Sequence, residues 1–173
     1  QEIRNCSSRM VDGGEIFYSA LQTWAKFPAY EGAIARLPDA SKNMRGDEEL
    51  VLRFFAVKNY RRGFKGNIEE WLSNYMEEII FSHEEFNIEE EGLVFYRVFA
   101  LIHSVFGDGA FSRYNANGQP TGRLAPAYFE AVVGAVTERF EDISQVPADL
   151  LRERLRNAFV SDDFIDSTGP GAN

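Results

Sequence analysis

Three short segments of the sequence mix charged and apolar residues so closely that a charge in each should be partly buried. They are residues 1–5, residues 45–56 and residues 128–131. A buried charge needs a partner that neutralises it. One interpretation makes Arg4, Arg45 and Arg53 phosphate-binding groups, because the planar guanidinium matches the geometry of phosphate oxygens. The chemistry predicted by this interpretation is recognition of a nucleotide or of a nucleic-acid backbone.

A second interpretation makes the same charges structural. Asp47 or Glu48 would pair with Arg4 or Arg53 and lock helices together, and Glu130 is a further candidate for such an ion pair. Partly buried charges are expected in both cases. The residue types alone therefore leave the two interpretations open.

Most arrangements that carry catalysis are missing from the sequence. Two histidines and one cysteine are too few for a structural zinc site. Neither His83 nor His103 has a motif for nucleophilic catalysis around it, and no glycine-rich loop is followed by the Lys-Ser/Thr that binds phosphates. His103 is expected to be a core histidine, because its neighbours are apolar. We expect no catalytic residue, metal site or cofactor in this chain.

The charge is unevenly distributed along a chain whose formal net charge is −9. Residues 42–66 contain seven basic and three acidic side chains, whereas residues 69–91 contain nine glutamates and no lysine or arginine. An acidic chain binds DNA poorly by itself, because the affinity comes largely from neutralised phosphates. The basic stretch could still form one wall of a groove that other residues complete. Charge blocks of this kind also occur on solvated helix faces.

Hydrophobic spacing predicts an all-α fold, an irregular array of about seven helices. The clearest helix follows a capping residue, Asn67, and repeats its apolar side chains every three or four residues. A second, near residues 88–106, is apolar on more than one side and should be central. Asp47 is the predicted N-cap of a third. The other predicted helices cover residues 15–25, a short segment from Pro28, residues 126–140 and residues 148–160.

The chain is predicted to form one helical domain, residues 1–160, with a flexible C-terminal tail, residues 161–173. A single cysteine excludes an internal disulfide and suits a reducing compartment. No signal peptide or apolar run of about 18 residues is present, so we expect a cytoplasmic protein without a membrane partner. Because the first residue is Gln rather than Met, the chain is expected to be part of a longer polypeptide.

Several motifs resemble the second, helical half of the ParB-like nuclease domain found at the N-terminus of GmrSD-type (type IV) restriction enzymes and related anti-phage defence proteins. Gln-Glu-Ile-Arg-Asn at residues 1–5 and the Asp-Glu-Leu-Val-Leu-Arg-Phe-Phe-Ala-like helix at residues 47–56 are the more specific matches. A glycine pair at 13–14 and a Tyr-Met pair at 75–76 also fit, and residues 110–111 and 128–131 fit weakly. The resemblance spans most of residues 1–160.

The resemblance implies that this chain is the helical subdomain of a larger α/β-plus-α protein. The family's Asp-Gly-Gln-Gln-Arg-like signature lies upstream in an α/β domain and is absent here, so no catalytic residue can be assigned. The implied partners are that N-terminal α/β half, on the same or another chain, and DNA. A nucleoside triphosphate and a divalent metal would belong to the parent protein. The candidates for proximity to nucleotide or DNA are Gln1, Glu2, Arg4, Asn5, Arg45, Arg53, Arg61 and Arg62.

The alternative function is a non-enzymatic helical module for protein–protein interaction. It is supported by the acidic block at residues 69–91 and by the missing catalytic set. A self-contained enzyme of an unrelated type is the third hypothesis.

Overall fold

A computed structural model describes residues 14–81 and 86–168, and these residues form ten α-helices and one small β-ribbon. The all-α prediction is confirmed for this part of the chain. The ribbon pairs β1 (Arg113–Tyr114) with β2 (Pro120–Thr121) in antiparallel register. Single turns of 3-10 helix lie at Arg61–Gly63 and Gly107–Gly109. The helices are α1 (Gly14–Ala25), α2 (Pro28–Ala33), α3 (Asp39–Asn43), α4 (Gly46–Asn59), α5 (Ile68–Phe81), α6 (Ile88–Phe106), α7 (Pro126–Glu138), α8 (Phe140–Ser144), α9 (Ala148–Phe159) and α10 (Asp162–Thr168).

The predicted number of about seven helices was too low. The three additional helices, α3, α8 and α10, have only five to seven residues each. One or two turns are too short to show the 3.6-residue repeat on which the prediction relied. Helix α10 lies inside the predicted tail, and its Phe164 ring contacts the rings of Tyr128 and Phe159 at centroid distances of 4.8 and 5.0 Å. Residues 169–173 lie outside the described part, and the domain boundary at residue 160 stays a prediction.

Helix α4 begins at Gly46, one residue before Asp47, which the sequence predicted to be its N-cap. Arg45 occupies the N-cap position in the left-handed backbone region, with φ 57°, and Asp47 lies in the first turn. The cause is a tight corner after α3, where an added Cβ at Gly46 would come within 2.8 Å of the Ser41 carbonyl oxygen. The prediction for α5 is correct, because the Asn67 side chain accepts hydrogen bonds from the amides of residues 69 and 70.

Helix α6 lies at the centre of the fold, as its apolar pattern predicted. It packs against α1, α2, α7 and α9. Phe95, near its middle, is fully buried among aromatic rings contributed by three other helices. This aromatic core fixes the helices that carry the polar side chains discussed below. No helix in the described ranges is both long and apolar enough to cross a membrane.

Candidate functional site

The first polar cluster joins α1 to the start of α4. Arg45 donates from Nη1 to the Tyr18 hydroxyl at 2.7 Å and to Glu48 Oε1 at 2.8 Å, and Gln22 donates to the same hydroxyl at 3.0 Å. The Glu48 residue is only 7% exposed. These contacts hold Arg45 in its left-handed conformation. A phosphate group would have to compete with Glu48 for the Arg45 guanidinium.

The second polar cluster joins α4 to α7 through Arg53. Arg53 donates from Nη1 to Glu130 Oε1 at 2.6 Å and from Nη2 to Glu49 Oε1 at 3.1 Å. Its side chain is 9% exposed, and those of the two glutamates are 29% exposed. This arrangement is an ion-pair triad that cross-links two helices, and the Arg53 guanidinium does not face solvent.

The sequence suggested that Asp47 or Glu48 pairs with Arg53, and neither does; the alternative pairing with Arg4 lies outside the described residues. Glu48 pairs with Arg45 rather than Arg53, because residues five apart on a helix do not share a face. Asp47 contributes its backbone carbonyl, which accepts a hydrogen bond from the buried Tyr30 hydroxyl. Glu49 was missed as a candidate, although its four-residue spacing from Arg53 is the spacing of a helical ion pair.

A third polar cluster lies where α4 ends beside α5 and α6. Lys58 forms an ion pair with Glu91 Oε1 at 2.9 Å, and Asn59 donates to the Tyr75 hydroxyl at 3.1 Å and to Glu91 at 3.2 Å. Burial raises the pKa of the Tyr75 hydroxyl, partly opposed by the hydrogen bond from Asn59. Burial also raises the pKa of Tyr30, and the nearby Asp47 carboxylate adds to this.

These buried tyrosines should make the protein unstable in alkali. The unfolded chain releases each tyrosine proton near pH 10, before the folded chain does, so the stabilisation present below pH 10 is lost as the pH rises. The free energy of unfolding should fall by about 1.4 kcal/mol per pH unit for each such tyrosine. Denaturant unfolding of the wild type and Tyr75→Phe at pH 9, 10 and 11 measures the difference. Parallel pH profiles for the two proteins would contradict the prediction.

An exposed basic turn, residues 60–66, connects α4 to α5. Arg61, Arg62 and Lys65 are all exposed on it. The turn is anchored to α5, because Trp71 donates from Nε1 to the Tyr60 carbonyl at 2.9 Å and packs edge-on against the Phe64 ring. Arg61 approaches Glu138 at 3.9 Å, but both side chains are more than 70% exposed. Such an exposed ion pair contributes little energy, so the guanidinium is accessible to another anion.

The predicted nucleotide- or DNA-proximal residues therefore have different environments. Gln1, Glu2, Arg4 and Asn5 lie outside the described residues. Arg45 and Arg53 belong to two ion-pair clusters, and the Arg53 side chain is buried whereas that of Arg45 is 40% exposed. Arg61 and Arg62 lie on the exposed basic turn. Lys65 was not among the candidates, although its position close behind the two arginines was visible in the sequence. It is the third cation of the basic turn.

Within residues 14–81 and 86–168, no three His, Cys, Asp or Glu side chains are grouped so that they could hold a metal ion. His103 is exposed and lies over Gly32, so the expectation of a core histidine was wrong. A Cβ at Gly32 would collide with the imidazole, so the glycine allows the ring to lie on the outer surface of α2. No family model, curated protein or solved structure matches this chain, and the family resemblance stays a hypothesis.

Proposed function

We propose that this chain is the helical subdomain of a restriction or anti-phage defence nuclease, and that its basic turn contacts the DNA backbone. The nucleotide-dependent core would be the upstream α/β half of the parent protein, which would also hold any nucleoside triphosphate and divalent metal. The sequence motifs at residues 1–5 and 47–56 support the family. The observation that carries the DNA contact is the exposure of three cations on one turn.

The contrast with Arg45 and Arg53 supports this choice of surface. Both already have carboxylate partners at 2.6–3.1 Å. The Arg53 side chain is buried, so binding a phosphate there would break an ion pair inside the fold. The Arg45 side chain is 40% exposed, but a phosphate there would compete with a buried carboxylate. Arg61, Arg62 and Lys65 are accessible without any such rearrangement. Contacts of this kind position a protein on DNA without reading its sequence. The net charge of −9 limits the affinity of the chain alone, so the basic turn would be one wall of a larger DNA-binding groove.

Neutralising the basic turn should remove most of the salt-dependent DNA binding of this chain. For the wild type, three phosphate contacts predict a slope of about −2.7 for the logarithm of the binding constant against the logarithm of salt concentration, about −0.9 for each contact. The variant Arg61→Ala/Arg62→Ala/Lys65→Ala should bind at least about tenfold more weakly at low salt, with a slope near zero. Fluorescence anisotropy of a labelled duplex measures both quantities.

A matched control changes the same number of charges elsewhere. Lys26, Arg113 and Arg123 are exposed and lie outside the basic turn. Their combined replacement by alanine should leave most of the affinity and of the slope intact. If both triple variants lose affinity equally, the binding is non-specific and the basic turn is not the contact surface.

The second candidate function is a protein-interaction module, and the acidic side of α5 favours it. Helix α5 buries Trp71, Leu72, Tyr75 and Met76 and exposes four glutamates to solvent. This surface suits a partner with a basic face. Absence of DNA binding by the wild-type chain at low salt would move the choice to this second function.

A further inference from the structure

The basic turn carries an exposed aromatic ring among its cations. Phe64 lies between Arg62 and Lys65 in the chain and is 45% exposed. Within residues 14–81 and 86–168, the only other exposed aromatic residue is Phe81, at the end of α5. The remaining aromatic residues of these ranges are buried or half-buried. The ring of Phe64 is therefore accessible to a ligand at the one place where three exposed cations surround it in the chain.

The contacts of Phe64 hold its ring in place and leave part of it uncovered. Among the residues that the structure describes, Trp71 provides the only ring in contact with Phe64, at a centroid distance of 5.5 Å and an interplanar angle of 74°. An edge-to-face pair of this kind covers at most one face of a ring. The turn is tight, because the Phe64 amide donates to the Arg61 carbonyl at 3.3 Å and an added Cβ at Gly63 would collide with the Tyr60 ring. A ring that is already fixed loses little freedom when a ligand stacks on it.

The charge next to the ring suits phosphates. Residues 58–68 contain four cations and no acidic residue. Glu69 and Glu70 follow in the first turn of α5, where the partial positive charge of the helix N-terminus stabilises carboxylates. Proteins that bind single-stranded nucleic acid combine cations along the backbone with aromatic rings on which bases stack. The bases of a duplex are stacked on one another and do not reach a ring on a surface turn, so the matching ligand has unpaired bases.

We propose that the basic turn binds single-stranded DNA, with an unpaired base stacked on Phe64 and with Arg61, Arg62 and Lys65 on the phosphates of the strand. This inference rests on the proposed function and names the class of DNA that the turn prefers. Because every base has a π-face, stacking on Phe64 adds affinity without selecting a sequence.

Two labelled strands with the same number of phosphates test the stacking, one of thymidines and one of abasic units. Each has about 12 units, within the size range of single-strand binding sites. Fluorescence anisotropy at low salt should show at least about fivefold tighter binding of the thymidine strand by the wild type, the lower end of the effect of one stacked base. Phe64→Leu keeps an apolar side chain beside Trp71 and should bind both strands with the affinity that the wild type has for the abasic strand. Phe64→Tyr keeps a ring and should keep the preference.

Phe81→Leu is the matched control, because Phe81 is 62% exposed and lies outside the basic turn, and it should bind both strands like the wild type. Equal binding of the two strands by the wild type would overturn the stacking, while the salt dependence of duplex binding would still support the phosphate contacts. An equal loss for both strands in Phe64→Leu would also overturn it, since that result reports damage to the turn. If the wild type binds neither strand nor a duplex up to about 0.1 mM, the weak end of non-specific DNA binding, this inference and the proposed function both fail.

Discussion

Replacing Phe95 by alanine is expected to lower the free energy of unfolding by about 3–5 kcal/mol, the range for removing a fully buried phenylalanine. The Phe95 side chain has no exposed surface. Its ring lies 4.6–6.1 Å, centroid to centroid, from the rings of six residues, which are Trp24, Tyr30, Phe54, Phe55, Tyr96 and Phe99. Aromatic pairs add about 0.5–1.5 kcal/mol each beyond the area they bury. The result should therefore lie at the upper end of that range.

Leu93 provides a control two residues away on the same helix. It is 67% exposed, so Leu93→Ala should change the free energy of unfolding by less than about 0.5 kcal/mol. Phe95→Leu should cost less than Phe95→Ala, because it leaves a smaller cavity. Urea unfolding at neutral pH measures all three variants. A loss below about 1 kcal/mol for Phe95→Ala would mean that α6 is not the central helix.

The long helices could be predicted from the sequence because each repeats its own apolar pattern many times. In α5 the repeat runs through residues 71, 72, 75 and 76, all of which are buried. In α6 the apolar residues cover more than one side, which predicted contacts with several neighbours. The apolar repeat involves residues that are close together in the chain, so it can be recognised in a single sequence.

Long-range contacts decide the features that the sequence did not reveal. Gly92 interrupts a helical pattern without visible purpose, yet an added Cβ there would lie 2.9 Å from Nε1 of Trp24, 68 residues earlier in the chain. An apolar groove lined by residues of α6, α7, α8, α9 and α10 likewise requires five helices to meet. Two of these, α8 and α10, are too short to be seen as periodic segments.

The contacts of the candidate polar residues also divide into local ones, which helical spacing predicts, and long-range ones, which it does not. The Glu49–Arg53 pair follows from helical spacing alone. The contact between Arg53 and Glu130 spans 77 residues, and the contact between Arg45 and Tyr18 spans 27, so neither partner could be chosen before the helices were placed. The sequence therefore predicted that these charges would be partly buried and left open what would neutralise them.

Replacing Arg53 by methionine is expected to lower the free energy of unfolding by about 2–3 kcal/mol. Removing one partner of a fully buried ion pair costs roughly 3–5 kcal/mol, because a charge is left uncompensated. The expected loss is smaller here, since the Glu49 and Glu130 side chains remain 29% exposed and water can solvate them partly. Methionine keeps the apolar contacts of the Arg53 stem, so the change isolates the loss of the guanidinium.

The double variant Arg53→Met/Glu130→Gln separates this electrostatic effect from packing. Removing the orphaned carboxylate should restore part of the lost stability, with a coupling energy of about 1 kcal/mol or more in the double-mutant cycle. Arg61→Met is the matched control, because its ion pair with Glu138 is long and exposed, and it should change stability by less than about 0.5 kcal/mol.

The same two arginines distinguish a structural role from a phosphate-binding one. In the folded state, at low salt, Arg53→Met should bind DNA like the wild type, because the guanidinium of Arg53 is directed at carboxylates within the fold. Arg61→Met should bind DNA more weakly, since it removes an exposed cation from the basic turn. A stable Arg53→Met variant with weakened DNA binding would contradict the structural role and make Arg53 a phosphate ligand, which would require Glu130 to release it when DNA binds.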